Sequence, residues 1–216
     1  MARAHRFDRS RRILLIAGAA MALAPGAALA GGRAKVVTLL GDSITAGLGL
    51  PAGDALPAQL GLALTRLGAH VVVRGAGVSG DTSADGLARA DFSVQGDTDL
   101  CVVALGGNDL LQGVEPKAVQ ANLTAIVRRL KARRIGVVLA GQHAPPQIGA
   151  AYARSFDAAF AAAARAGGAA LYPDLLAGVG RDPRLLQRDA IHPNAAGVKI
   201  IAQRLAPVVI KALAAR

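Results

Sequence analysis

The sequence predicts an α/β domain with a parallel β-sheet covered by helices on both faces. Short apolar, β-branched runs alternate along the chain with longer segments of helical period. The runs are apolar throughout, as strands buried on both faces are. Each run also closes in a turn rich in Gly, Asp or Asn, which puts polar side chains outside the carboxyl ends of the strands, where open α/β sheets bind ligands.

The elements follow in order. Residues 35–40 (KVVTLL), closed by Gly41, read as the first strand. Residues 57–67 read as a helix, with Pro57 at its start and Gly68 beyond its end. Residues 70–74 (HVVVR) form the second strand, and residues 100–105 (LCVVAL), stopped by Gly106 and Gly107, the third. Residues 116–133 carry Val119, Leu123, Ile126, Val127 and Leu130 at helical spacing. Residues 135–140 (IGVVLA) form the fourth strand, residues 150–166 an Ala-rich helix, residues 169–172 a short fifth strand and residues 194–214 a final helix. Neither a repeat nor a linker interrupts this order, so residues 31–216 read as one domain.

The preceding residues read as an address. Residues 1–12 are basic, residues 13–24 (ILLIAGAAMALA) are apolar, and Ala28 and Ala30 offer small residues at a cleavage site. This is the three-part secretory signal pattern, and Ser10-Arg11-Arg12 ahead of Ile13 resembles a twin-arginine signal. Residues 1–30 are therefore expected to be a cleaved leader, with cleavage after Ala30 and a periplasmic or secreted product. The apolar stretch falls short of the ~18 residues of a membrane span, and no Cys follows it to take a lipid, so no stable membrane anchor is expected.

Composition excludes several classes of function. Of 216 residues, 53% are apolar and 18% charged, enough to build a core and too apolar for disorder. A single Cys rules out a disulfide framework and any multi-Cys metal site. Cys101, inside an apolar strand, reads as a small buried hydrophobe. The net charge of +11 drops to +7 without the leader. The one basic cluster, Arg128, Arg129, Lys131, Arg133 and Arg134, ends a predicted helix, where cations suit the dipole, and no nucleic-acid site is expected.

Chemistry-bearing residues gather at the strand ends. Gly41-Asp42-Ser43 puts a hydroxyl at a strand-to-helix turn. Residues 75–80 (GAGVSG) match G-x-G-x-x-G, but the acids about 20 residues on, Asp97 and Asp99, precede the third strand, which rules against a dinucleotide site. Gly106-Gly107-Asn108 offers an amide donor beside a close-approaching backbone. Asp189 and His192, three apart, can set a carboxylate against imidazole Nδ1 and leave Nε2 free as a base. His143, after the fourth strand, is the competing histidine on that edge. In sum, these are the parts of acyl transfer: a hydroxyl, a base, an orienting carboxylate and donors for an oxyanion.

With these residues in view, the chain resembles the GDSL-type, or SGNH, hydrolase family, and within it the small periplasmic thioesterases, arylesterases and lysophospholipases. LLGDSITAG, GAGVSGDTSADGLAR, LGGNDLLQG and DAIHPNAAG resemble its four blocks. The resemblance implies a three-layer α/β/α sandwich with a mainly parallel, five-stranded, flavodoxin-like sheet and no metal or other cofactor. It implies Ser43 as nucleophile, Asp189 and His192 as its partners, and an oxyanion hole of the Ser43 and Gly80 N–H groups and Asn108. Gly75 stands where the family's second block usually has Asn.

The expected activity is serine-dependent hydrolysis of carboxylic esters or thioesters through an acyl-enzyme, by a monomer acting on small molecules. Apolar loops over residues 48–58, 112–115 and 145–149 would line the cleft, with Leu48, Leu110, His143, Pro145 and Ile148 as candidate substrate contacts. The alternative on the same fold is a carbohydrate O-acetyl esterase, which 3% aromatic content disfavours for want of a sugar-stacking platform. A binding module without turnover would be expected to lack Ser43, Asn108 or His192, and all three are present.

Overall fold

The structure, a computed structural model, describes Met1 and residues 33–215. The expected leader over residues 1–30 thus lies, Met1 apart, outside the described residues. Five parallel strands, β1 (Lys35–Gly41), β2 (Val71–Gly77), β3 (Leu100–Ala104), β4 (Gly136–Ala140) and β5 (Ala170–Tyr172), form one sheet in the order β2-β1-β3-β4-β5. This is the flavodoxin-like order, whose strand reversal beside β1 opens a crevice at the carboxyl edge. The helices are α1 (Ser43–Ala46), α2 (Leu56–Arg66), α3 (Ser83–Ser93), α4 (Gly107–Leu111), α5 (Pro116–Ala132), α6 (Ala150–Gly167) and α7 (Ala195–Ala214).

Side chains alternate across the sheet and feed two apolar layers. On one face Val37, Leu39, Leu100, Val102 and Val138 pack against Leu56, Leu60 and Leu64 of α2 and against Ile201, Leu205 and Val209 of α7. On the other, Leu40, Cys101, Val103, Val137 and Leu139 meet α3, α5 and α6. Phe156 and Phe160 of α6 meet edge to face there, ring centroids 5.4 Å apart. Cys101 is fully buried as expected, and burial pushes its thiol up to about 12, far from reactivity. Among the described residues, no helix is long and apolar enough to cross a membrane.

The structure departs from the sequence expectations in three places. β2 starts one residue later and runs on through Gly75, Ala76 and Gly77, because all three pair with Leu39–Gly41 of β1. At Gly75 an added Cβ would stand 2.9 Å from Pro57 Cγ, so this strand and α2 approach over a bare backbone. The segment after Gly80, for which the sequence suggested no element, is the helix α3; Thr82 Oγ1 accepts from the Asp85 N–H while Asp85 accepts from the Thr82 N–H, a reciprocal cap. The turns after β1 and β3 contain the short helices α1 and α4. As an outer strand, β2 is only half covered: Val72 is exposed, and Arg74 pairs with Asp97 at 2.6 Å.

Candidate active site

β1 delivers Ser43 to the sheet's carboxyl edge. Gly41 is required there, since a Cβ would stand 2.1 Å from Thr45 Oγ1 and 2.8 Å from the Ala104 carbonyl oxygen. Asp42 then caps α1, its Oδ1 accepting from the Ile44 N–H at 3.0 Å. Ser43, the first residue of α1, is buried except for its approach from the crevice.

The opposite wall comes from the loop ahead of α7. Ser43 Oγ lies 2.8 Å from His192 Nε2, and His192 Nδ1 lies 2.7 Å from Asp189 Oδ2. Asp189 Oδ1 also accepts from the Ile191 and His192 backbone N–H groups, both at 3.0 Å. The His192 N–H first, then the Ile191 N–H and the imidazole, hold this carboxyl down to about 2. An ionised carboxylate only accepts, so Nδ1 carries the ring proton and Nε2 is left to accept from the serine hydroxyl. Ala190 adopts a left-handed φ of 59° between the two residues, a strained conformation for a side chain with a Cβ. Gln187 secures the loop by donating its side-chain amide to the Leu48 and Pro193 carbonyls and its backbone N–H to the His192 carbonyl. Asn194 caps α7 through the Ala196 and Gly197 N–H groups.

The third side holds the expected donors. Gly80, with φ +90°, sits in the turn between β2 and α3, where a side chain would be strained. Its N–H and that of Ser43 have no hydrogen-bond partner among the described residues. Asn108 is the second residue of α4, and its Nδ2 donates to the carbonyl of Asp81, the neighbour of Gly80, at 2.9 Å. One amide hydrogen holds Asn108 to the glycine turn, which leaves the other for a ligand. Next to it Asp109 is buried and accepts from the Ser83 N–H and hydroxyl, tying α4 to the start of α3.

The candidate substrate contacts divide. Leu48 borders Ser43 together with Ile44, Leu50 and Pro193, in a crevice too narrow to hold a water-sized group. His143 and Pro145 line a different cavity of about 460 Å³, bounded by Asp174, Leu176 and Arg181. His143 Nδ1 faces Asp157 at 2.6 Å, so this histidine is engaged away from Ser43. Leu110 packs on the layer between sheet, α3, α5 and α6, and Ile148 is exposed on a short turn. Sequence reasoning missed Asp42, Asp81, Asp109 and Gln187; the capping Asp42 beside Ser43 was the one with a local signal, an Asx residue opening a turn.

A hydroxyl bonded to an imidazole that a carboxylate orients is the arrangement general-base attack on a carbonyl requires. On a flavodoxin-like α/β/α frame it defines a class, the serine-dependent ester hydrolases. Residues 39–200 match the GDSL-like lipase/acylhydrolase family, and the chain belongs to it. It is 38% identical over 161 residues to Esterase TesA of Pseudomonas aeruginosa, covering 74% of this chain and 80% of that protein. It is 33% identical over 174 residues to Thioesterase 1/protease 1/lysophospholipase L1 of Escherichia coli strain K12, covering 80% and 82%. Among solved structures, that of AlinE4, an SGNH-hydrolase family esterase, superposes with a TM-score of 0.70 at 42% identity over 84% of this chain and 98% of that one. The protein is an ester-hydrolysing enzyme.

Proposed function

We propose that Ser43 is the nucleophile of an esterase that cleaves acyl and aryl esters, and acyl thioesters, through an acyl-enzyme. The observation that carries this reading is the 2.8 Å contact of Ser43 Oγ with His192 Nε2, backed by Asp189. His192 takes the hydroxyl proton as Oγ bonds to the carbonyl carbon. The carbonyl oxygen becomes an oxyanion, met by the Ser43 and Gly80 N–H groups and the free Asn108 amide hydrogen, each such donor contributing about 3 kcal/mol. Asp189 stabilises the imidazolium. The carbon–oxygen or carbon–sulfur bond then breaks, and His192 gives its proton to the departing alcohol or thiol. Water, deprotonated by the same imidazole, attacks the acyl carbon, and Oγ leaves with that proton to restore Ser43 and release the acid.

The apolar side chains of Ile44, Leu48 and Leu50 beside Ser43 favour apolar acyl or aryl groups. The names of the relatives, an esterase and a thioesterase 1/protease 1/lysophospholipase L1, agree with cleavage of esters and thioesters. In the same reading residues 1–30 are an export leader, and residues 31–216 work as a monomer in the periplasm or outside the cell.

The test combines a substrate panel with a labelling experiment. Aryl esters, acyl thioesters and lysophospholipids of increasing chain length are assayed with the wild type and with Ser43→Ala. Turnover is expected to fall by more than about a thousandfold in the variant, with circular dichroism unchanged. A fluorophosphonate should label the wild type alone. Wild-type turnover by Ser43→Ala, or equal labelling of both proteins, overturns the assignment.

A further inference from the structure

Arg89 touches no part of the hydroxyl–imidazole–carboxylate relay, yet it reaches the segments that present Ser43 and Gly80 and, through Asp81, the one that presents Asn108. From α3 its side chain turns back beneath the glycine turn. Nη2 donates to the Gly41 carbonyl at 2.8 Å, and Nη1 to the Ala76 carbonyl at 2.9 Å and to Ser93 Oγ at 3.1 Å. Nε donates to Asp81 Oδ2 at 2.5 Å, an ion pair of which little is exposed on either side. Gly41 ends β1 two residues before Ser43, Ala76 lies four residues before Gly80, and Asp81 follows Gly80. The Asp81 carbonyl is in turn the acceptor that holds Asn108 Nδ2. The Val78 N–H closes the set by donating to the Gly41 carbonyl, the same oxygen that Arg89 reaches.

One planar group thus joins the nucleophile strand to the glycine turn on both sides of Gly80 and, through Asp81, to Asn108. The guanidinium suits this task because its N–H groups point in fixed directions within one plane. Two of its acceptors are carbonyls at the ends of neighbouring parallel strands, where the β-ladder runs out. Stability alone is a poor reason for the arrangement, since desolvation offsets most of what a buried ion pair contributes. Geometry is a better one: oxyanion donors act only if they are fixed in place before charge develops, and a misplacement of 1 Å can cost about a hundredfold in rate.

We infer that Arg89 is a positioning residue for the oxyanion site, setting Gly80 and Asn108 in register with Ser43. This inference rests on the donor roles proposed above for Gly80 and Asn108. It makes Arg89 act on the transition state through other groups, with no contact to the substrate.

A double-mutant cycle on an aryl ester tests it, with kcat and KM measured for wild type, Arg89→Lys, Asn108→Ala and the double variant. Arg89→Lys keeps the charge and loses the fork; it should lower kcat about thirtyfold with KM within about twofold. In the Asn108→Ala background the same change should cost less than about threefold, because the amide it places is gone. The pH dependence should keep its wild-type shape, since His192 and Asp189 are untouched. Equal losses in both backgrounds, or wild-type kcat in Arg89→Lys, overturn the inference. Wild-type kcat in Asn108→Ala would remove the donor role of Asn108 and this inference with it, while labelling of Ser43 would still stand. Should Arg89→Lys melt below the assay temperature, Asp81→Asn takes its place in the cycle, with the same coupling expected. That variant keeps the carbonyl that holds Asn108 and removes the charge that aims the guanidinium.

Discussion

Asp42 sits next to the serine and is only 2% exposed, with one hydrogen bond from a backbone N–H to compensate. Burial, the largest influence, pushes its carboxyl up from 3.8 to about 6, against the opposing Ile44 hydrogen bond and the nearby His192. Such an acid binds its proton more tightly folded than unfolded. Stability therefore declines as the pH rises from about 4 to about 6 and stays lower above that. Asp42→Asn keeps the oxygen that caps α1 and removes the ionisation. It should be more stable than the wild type by between about 1 and 3 kcal/mol at pH near 7.5 and equal to it near pH 4. Urea denaturation at the two pH values measures the difference, and a variant less stable at both would refute this account. The neighbouring Asp189 behaves in the opposite way: three hydrogen bonds keep it ionised down to about pH 2, so the carboxylate behind His192 is present at any working pH.

Among the elements, α3 braces the site from beside it, since it carries Arg89 and its first residue, Ser83, binds Asp109. Its start depends on the reciprocal Thr82–Asp85 cap. Thr82→Ala should destabilise the protein by about 1 kcal/mol in thermal or chemical unfolding. An unchanged stability would mean that tertiary contacts alone fix the start of the helix. The sequence was readable where burial writes itself as an unbroken apolar run: all five strands and the long helices α2, α5, α6 and α7 lie within a few residues of expectation. α3 was hidden because its inward face is Ser83, Gly86 and Ala90, too small to show a hydrophobic period, while Phe92 points out. Gly86 looks like a helix breaker, but it is needed, because a Cβ there would stand 2.1 Å from Leu105 Cδ1. Thr82-x-x-Asp85 was the local sign of this helix, and it reads as a turn until the cap is seen.

At the level of the whole molecule, residues 33–215 build two apolar layers and the sheet between them. A chain beginning at residue 31 should therefore fold and hydrolyse an aryl ester at the rate of any longer form. A purified truncation that is inactive or unfolded would tell against the proposed boundary at Ala30. The site was legible in its linear order, with serine, glycine, amide and acid–imidazole each placed after a predicted strand or before the last helix. Their meeting was not, because Ser43 and His192 are joined only when β1 and the loop before α7 reach the same edge. The substrate side was the least legible: His143 pairs with Asp157, on the next helix, and lines a cavity other than the crevice at Ser43.

The uncovered margin of β2 bears on how this enzyme behaves in a concentrated solution. A bare strand invites another chain to extend the sheet, and an exposed valine beside it makes the invitation stronger. Arg74 sets a guanidinium on that margin, and although Asp97 answers it, the enzyme as a whole carries a large positive excess. Two copies approaching edge to edge repel each other before backbone pairing can begin. Colloidal dispersal is thus maintained from a distance, and added salt, which shortens the reach of that repulsion, is the condition under which clumping would start.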